Sequence, residues 1–159
     1  MASRTFLFVV GSLLAIACRT SSPAHDRTAD EKAVRALVAE AVRAENTEDL
    51  AAWLQTIADD AVIVTPAGTV RGKAAIGKVM GSLFESTDLQ GGWTIEGLEL
   101  SGDLAVIWGP ADLTLIAKTG RAKSRTVGYH LDALRREADG SWKFTWWTAQ
   151  TRTIPDSSR

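Results

Sequence analysis

The 159 residues include one cysteine, one tyrosine and two histidines. A lone cysteine, Cys18, excludes a disulfide within the chain. With no cysteine pair, and His130 as the one histidine in the body of the chain, no cluster of metal ligands can be assembled, so neither a metal nor a cofactor is expected. A surplus of one charge is also missing: 18 basic side chains stand against 19 acidic ones, mixed along the chain. That balance removes the electrostatic case for binding nucleic acid. Long apolar runs are absent as well. The longest, Phe6 to Ala17, spans roughly 18 Å as a helix, short of the ~30 Å hydrocarbon core of a bilayer. The chain has no internal repeat and no alternation of strand and helix, which excludes a solenoid and a parallel α/β sheet.

That short run follows Arg4 and ends in small residues, so residues 1–17 are expected to be a secretory signal. Ala15-Ile16-Ala17-Cys18 resembles a bacterial lipoprotein box, with lipidation expected at Cys18; ordinary cleavage after Ala17 would leave a free thiol there instead. Residues 18–29 are small and polar around Pro23 and are expected to be a tether, which carries His25. Arg19 resembles the outer-membrane sorting class. The implied location is a lipid anchor in the bacterial cell envelope, on the periplasmic face of the outer membrane. The domain proper is expected over 30–152, with 153–159 as a tail.

The domain opens with helices. Thr28-Ala-Asp-Glu31 fits a capping box, and Val34, Leu37, Val38, Ala41 and Val42 form an apolar stripe at helical spacing. Asn46 suits a left-handed stop, and Thr47 can cap a second helix that buries Leu50, Trp53, Leu54 and Ile57. A strand is predicted from Ala61, closed by Pro66 and Gly68. A third helix follows Gly72, with Ile76, Val79, Met80, Leu83 and Phe84 inward. Gly72 to Lys78 matches most of a phosphate-binding loop. Val79 stands where a magnesium-binding hydroxyl is required, so phosphate binding is rejected.

The second half reads as strands, separated by Ser101-Gly102, Thr119-Gly120 and Asp139-Gly140. Helices first and an antiparallel sheet afterwards predict an α+β domain with helices on one sheet face. A hairpin at Asp139-Gly140 would set Arg136 opposite Trp142, Leu134 opposite Phe144, Asp132 opposite Trp146 and His130 opposite Thr148, all on the helix-covered face. The outer face would then show Tyr129, Leu131, Trp147 and Trp108, as an exposed patch waiting for a partner.

"DLAAWLQTIADDAVIVTPAGTVRGKAAI", "GDLAVIWGPADLTL" and "GYHLDALRREADGSWKFTWWTAQ" resemble the nuclear transport factor 2-like superfamily, in particular its SnoaL-like, ketosteroid-isomerase-like bacterial members. The resemblance implies a cone, with three helices over the concave face of a curved sheet and an apolar pocket between. It also implies a homodimer through the outer face, here Trp108, Tyr129, Leu131 and Trp147. The pocket is expected to take a small apolar molecule against Trp53, Phe84, Trp146 and Thr148. The tyrosine–aspartate set of the steroid isomerases has no counterpart, because the one tyrosine points outward in this register. Two readings of function remain. One is a tethered module that binds an apolar ligand. The other is an isomerase, dehydratase or hydrolase using His130 and Asp132 as acid and base, about 6.6 Å apart along one strand face. The absence of a full catalytic set favours the first, and hydrogen bonds to Thr148, the Trp146 indole or a helix backbone would give His130 and Asp132 a purely structural role.

Overall fold

The computed structural model describes residues 26–155 apart from residues 66 and 121. The expected signal, Cys18, His25 and the last four residues lie outside the described residues. Helix α1 spans Arg27–Asn46 and buries Val34, Val38, Ala41 and Ala44 along one stripe. Its cap is Asp26 and not Thr28: the carboxylate accepts from the Thr28 and Ala29 amides at 3.0 and 3.2 Å. A charged acceptor suits the positive end of the helix dipole better than a hydroxyl, and Glu31 bonds Arg27 at 3.1 Å instead of closing the expected box. Asn46 is helical, and the left-handed residue is Glu48, at φ 54°. Asp49, not Thr47, caps the short helix α2, Leu50–Gln55.

Ile57 opens strand β1, Ile57–Thr65, and does not extend α2. The Thr56 hydroxyl bonds the Trp53 carbonyl, and the Thr56 carbonyl accepts the Phe144 amide at 2.9 Å, so the chain leaves the helix by joining the sheet. Strand β2, Gly68–Arg71, folds back on β1, and helix α3, Lys73–Ser86, follows with Ile76 and Phe84 buried. Strands β3, Thr87–Trp93, and β4, Gly97–Ser101, both lie along β5, Leu104–Ala117. Strands β6, Lys123–Arg136, and β7, Trp142–Pro155, complete a curved seven-stranded sheet. Its order is β2-β1-β7-β6-β5-β3, with β4 also on β5. Only the β1–β7 pair is parallel among these pairings. The expectation of an α+β domain with N-terminal helices on a curved, mainly antiparallel sheet holds. Strands β2 and β3 are additions.

Burial alternates strictly along the first part of β5: Ala105, Ile107 and Ala111 are covered, while Leu104, Val106 and Trp108 are exposed. The β6–β7 hairpin starts in the expected register, with Arg136 opposite Trp142 and Leu134 opposite Phe144. A bulge then inserts Thr145, whose hydroxyl bonds the Ala133 carbonyl at 3.0 Å. One extra residue exchanges the faces of everything beyond it. Trp146 therefore pairs with Ala133 on the outer face, and Trp147 pairs with Asp132 on the helix-covered face. The expected positions of these two indoles are thus reversed. His130 faces Ala149, and Thr148 pairs with Leu131.

The core joins Val34 and Val38 of α1 to Ile76, Ile107, Leu134, Trp142 and Phe144. An ionic clip closes it at one end. Arg136 pairs with Asp30 in the first turn of α1 and reaches Asp103 at 3.3 Å, and its guanidinium lies 4.9 Å from the Trp142 ring centre. Arg136 Nε and Nη2 hold these carboxylates as ion pairs without a well-formed hydrogen bond.

Candidate active site

A cavity of about 170 Å³ opens between the helices and the sheet. Helix α1 contributes Ala41 and Glu45, α2 contributes Trp53, and β3 contributes Trp93. His130 and Asp132 on β6 and Phe144 and Trp147 on β7 form the opposite wall. Trp53 meets Trp147 edge to face at 5.8 Å between ring centres, and Trp93 meets Phe144 likewise at 5.5 Å. Of the pocket residues expected from sequence, Trp53 and Thr148 border this cavity. Phe84 is buried in the core beyond it, and the bulge carries Trp146 away. Trp108, Tyr129 and Leu131 are exposed on the outer face.

His130 and Asp132 are 6% and 4% exposed and bond each other, Nδ1 to Oδ2, at 2.7 Å. The other ring nitrogen, Nε2–H, donates to the Thr94 carbonyl at 2.9 Å. Glycine makes that second bond possible. Gly109 lies opposite His130 on β5, and a Cβ there would stand 1.9 Å from the Thr94 oxygen. Both acceptors are oxygens, so with Asp132 ionised the ring holds both protons. With Asp132 protonated the ring is neutral at Nδ1. The two residues therefore share one proton as a unit. Burial pushes the Asp132 carboxyl upward, opposed by the His130 bond and charge. Burial opposes charge on His130, but the Asp132 bond, the Thr94 carbonyl and the Asp132 charge together raise its pKa.

Glu45 was not singled out in the sequence. Its Oε1 accepts the Trp53 indole N–H at 3.0 Å, and its Oε2 accepts that of Trp93 at 3.3 Å. Burial among these rings pushes its pKa up to about 7, against the two indole bonds and with the Asp132 charge adding to the rise. The neighbouring Asn46 anchors this end of α1. Its amide donates to the Gly91 carbonyl at 2.6 Å and accepts the Gly91 amide at 3.0 Å. Gly91 sits at φ 103°, where a Cβ would stand 2.3 Å from the Asp112 carbonyl. That clamp sets the path of β3 and so delivers Trp93 to Glu45. The available sequence signal was the spacing: Glu45 lies four residues after Ala41, on the buried stripe of α1.

The cavity can hold a small, mostly apolar molecule against a carboxylate poised near neutrality and a second, proton-sharing pair. Among the described residues no group of three or more histidine, cysteine or acidic side chains is placed to hold a metal ion.

No curated protein matches the sequence. A nuclear transport factor 2-like protein from Salmonella enterica superimposes with a TM-score of 0.70 at 11% identity, over 83% of this chain and 97% of its own. A ketosteroid isomerase-like protein from Erwinia carotovora gives 0.69 at 24% identity, over 76% and 94%. A hexachlorocyclohexane dehydrochlorinase from Novosphingobium barchaimii gives 0.73 at 19% identity, over 84% and 94%. These likenesses establish the shared fold. The family model for the SnoaL-like domain matches residues 34–145, and the chain belongs to that family.

Proposed function

We propose that the cavity is the active site of an enzyme that takes a proton from carbon on a small molecule. Glu45 is the base in this reading. The observation that carries it is one carboxylate buried among indoles and bonded to two of their N–H groups. That burial pushes its pKa up to about 7, the range that general-base work on a carbon acid requires. Glu45 takes the proton, and the C–H electron pair forms a new double bond. In isomerisation the pair of the existing double bond shifts to a second carbon and takes the proton back there; in elimination the leaving group departs with its bonding pair. The His130–Asp132 unit, already sharing a proton, stabilises charge on the far wall. It does not act as a free imidazole base, because both ring nitrogens are engaged. Dehydrochlorination, the activity named for one similar structure, removes a proton from carbon and a chloride from its neighbour, and supports the reaction class. A cavity of about 170 Å³ resembles those of about 150 Å³ that hold benzene, which suits a substrate of about one ring.

The test uses 5-nitrobenzisoxazole, which opens to a coloured phenolate when a base takes its carbon-bound proton. The rate should climb from about pH 6 to about pH 8, following ionisation of Glu45 near 7. No acceleration over buffer would leave a binding module as the reading.

Two properties expected from sequence remain proposals. The exposed row Leu104, Val106, Trp108, Tyr129 and Leu131 lies on one sheet face, and a second copy of the chain is its proposed occupant. Interface aromatics carry roughly 2 kcal/mol or more each, so Trp108→Glu should turn a wild-type dimer into a folded monomer by light scattering. A monomeric wild type rejects the dimer. The second proposal is export with an acylated Cys18, supported by the sequence alone. Radiolabelled palmitate should enter the wild type and not Cys18→Ser; equal labelling of both would reject the anchor.

A further inference from the structure

We infer that the ligand of this cavity is a small organic cation, a protonated or quaternary amine with a body of about one ring. Three indoles, Trp53, Trp93 and Trp147, border the space together with Phe144. They stand in two nearly perpendicular pairs, Trp53 to Trp147 at 75° and Trp93 to Phe144 at 77°. Indole is the strongest aromatic partner for an ammonium group, and a set of such rings is how quaternary ammonium ligands are recognised.

Charge points the same way. Among the described residues, Glu45, Asp132 and His130 are the ionisable ones on the wall, and no lysine or arginine borders the cavity. With all three ionised, the wall carries one negative charge that no described lysine or arginine on it answers. An uncompensated charge among apolar rings is costly, and a ligand cation removes that cost. An anionic ligand would find only His130, already committed to Asp132 and the Thr94 carbonyl. A neutral ligand would leave the excess charge in place. The volume of about 170 Å³ suits a compact ammonium head with a body of about one ring.

The inference rests on the cavity being a ligand site and is independent of whether Glu45 removes a proton. The test is a pair of isosteres on the wild-type protein: benzyltrimethylammonium and its uncharged counterpart neopentylbenzene, followed by tryptophan fluorescence. At pH 8 the cation should bind roughly tenfold tighter or more. At pH 6 its affinity should fall about tenfold as Glu45, with its pKa of about 7, takes a proton, while that of neopentylbenzene holds. Trp53→Leu should weaken the cation more than the isostere; a general loss of structure would weaken both equally. Neopentylbenzene binding as tightly as the cation would overturn the inference and leave the proton-transfer site standing. Binding of neither would overturn the inference and count against the cavity as a ligand site.

Discussion

Glu45→Gln should slow the opening of 5-nitrobenzisoxazole by a factor of about 10²–10⁴, the usual contribution of a positioned general base. The variant should also lose the rise in rate through pH 7 that belongs to Glu45. Glutamine keeps the size of the side chain but cannot take the proton, and it can still accept from one of the two indoles. Stability supplies a second readout with the opposite sign. Burial raises the Glu45 pKa from 4.5 to about 7, so the folded state holds its proton more tightly than the unfolded state does. Stability from this group is complete below about pH 4.5 and is lost as pH rises through about 7. Across that window the wild type should lose on the order of 3 kcal/mol that Glu45→Gln does not lose. Denaturant midpoints at the two ends of the window measure it. A variant with wild-type rates would remove Glu45 from the chemistry, and parallel stability profiles would place its carboxylate in water.

Arg136→Ala should be among the most damaging changes outside the cavity, costing about 3–5 kcal/mol. Its partner Asp30 is 6% exposed and would be left without its cation. The stack on Trp142, itself 4% exposed, would go as well. Against a total stability of roughly 5–15 kcal/mol, that loss places the domain near unfolding. The cost comes mainly from the orphaned charge. The double change Asp30→Leu with Arg136→Met should therefore recover most of it, because apolar replacement of a buried pair is often neutral. Urea unfolding of the three proteins decides the matter. A single variant within about 1 kcal/mol of wild type would show a solvated pair, of the kind worth 0–1 kcal/mol.

The broad design was legible because it rests on local rules. Helical spacing of Val34, Val38 and Ala41 marked the buried stripe of α1, and alternation along β5 separated the covered from the exposed face. The turn at Gly140, with φ 84°, set the first pairs of the last hairpin correctly. The caps were displaced by two residues at Asp26 and Asp49 because several neighbouring residues could serve, and the backbone entry angle chose among them.

The sequence by itself determined the class of fold, the family resemblance, and the presence of His130 and Asp132 on the covered face of one strand. Tertiary structure alone decided which tryptophan meets the cavity. Trp146 and Trp147 are adjacent and identical, so a bulge at Thr145 exchanges their faces without disturbing the apolar pattern that would have revealed it. Tertiary structure also decided the base. Glu45 reads locally as one more acid on a charged helix. It becomes a carboxylate near neutrality only where Trp53 and Trp93, eight and 48 residues further on, close over it and exclude water. Period and propensity act over neighbouring residues, whereas desolvation depends on which distant segments arrive together, and that is settled by the packing of the whole domain.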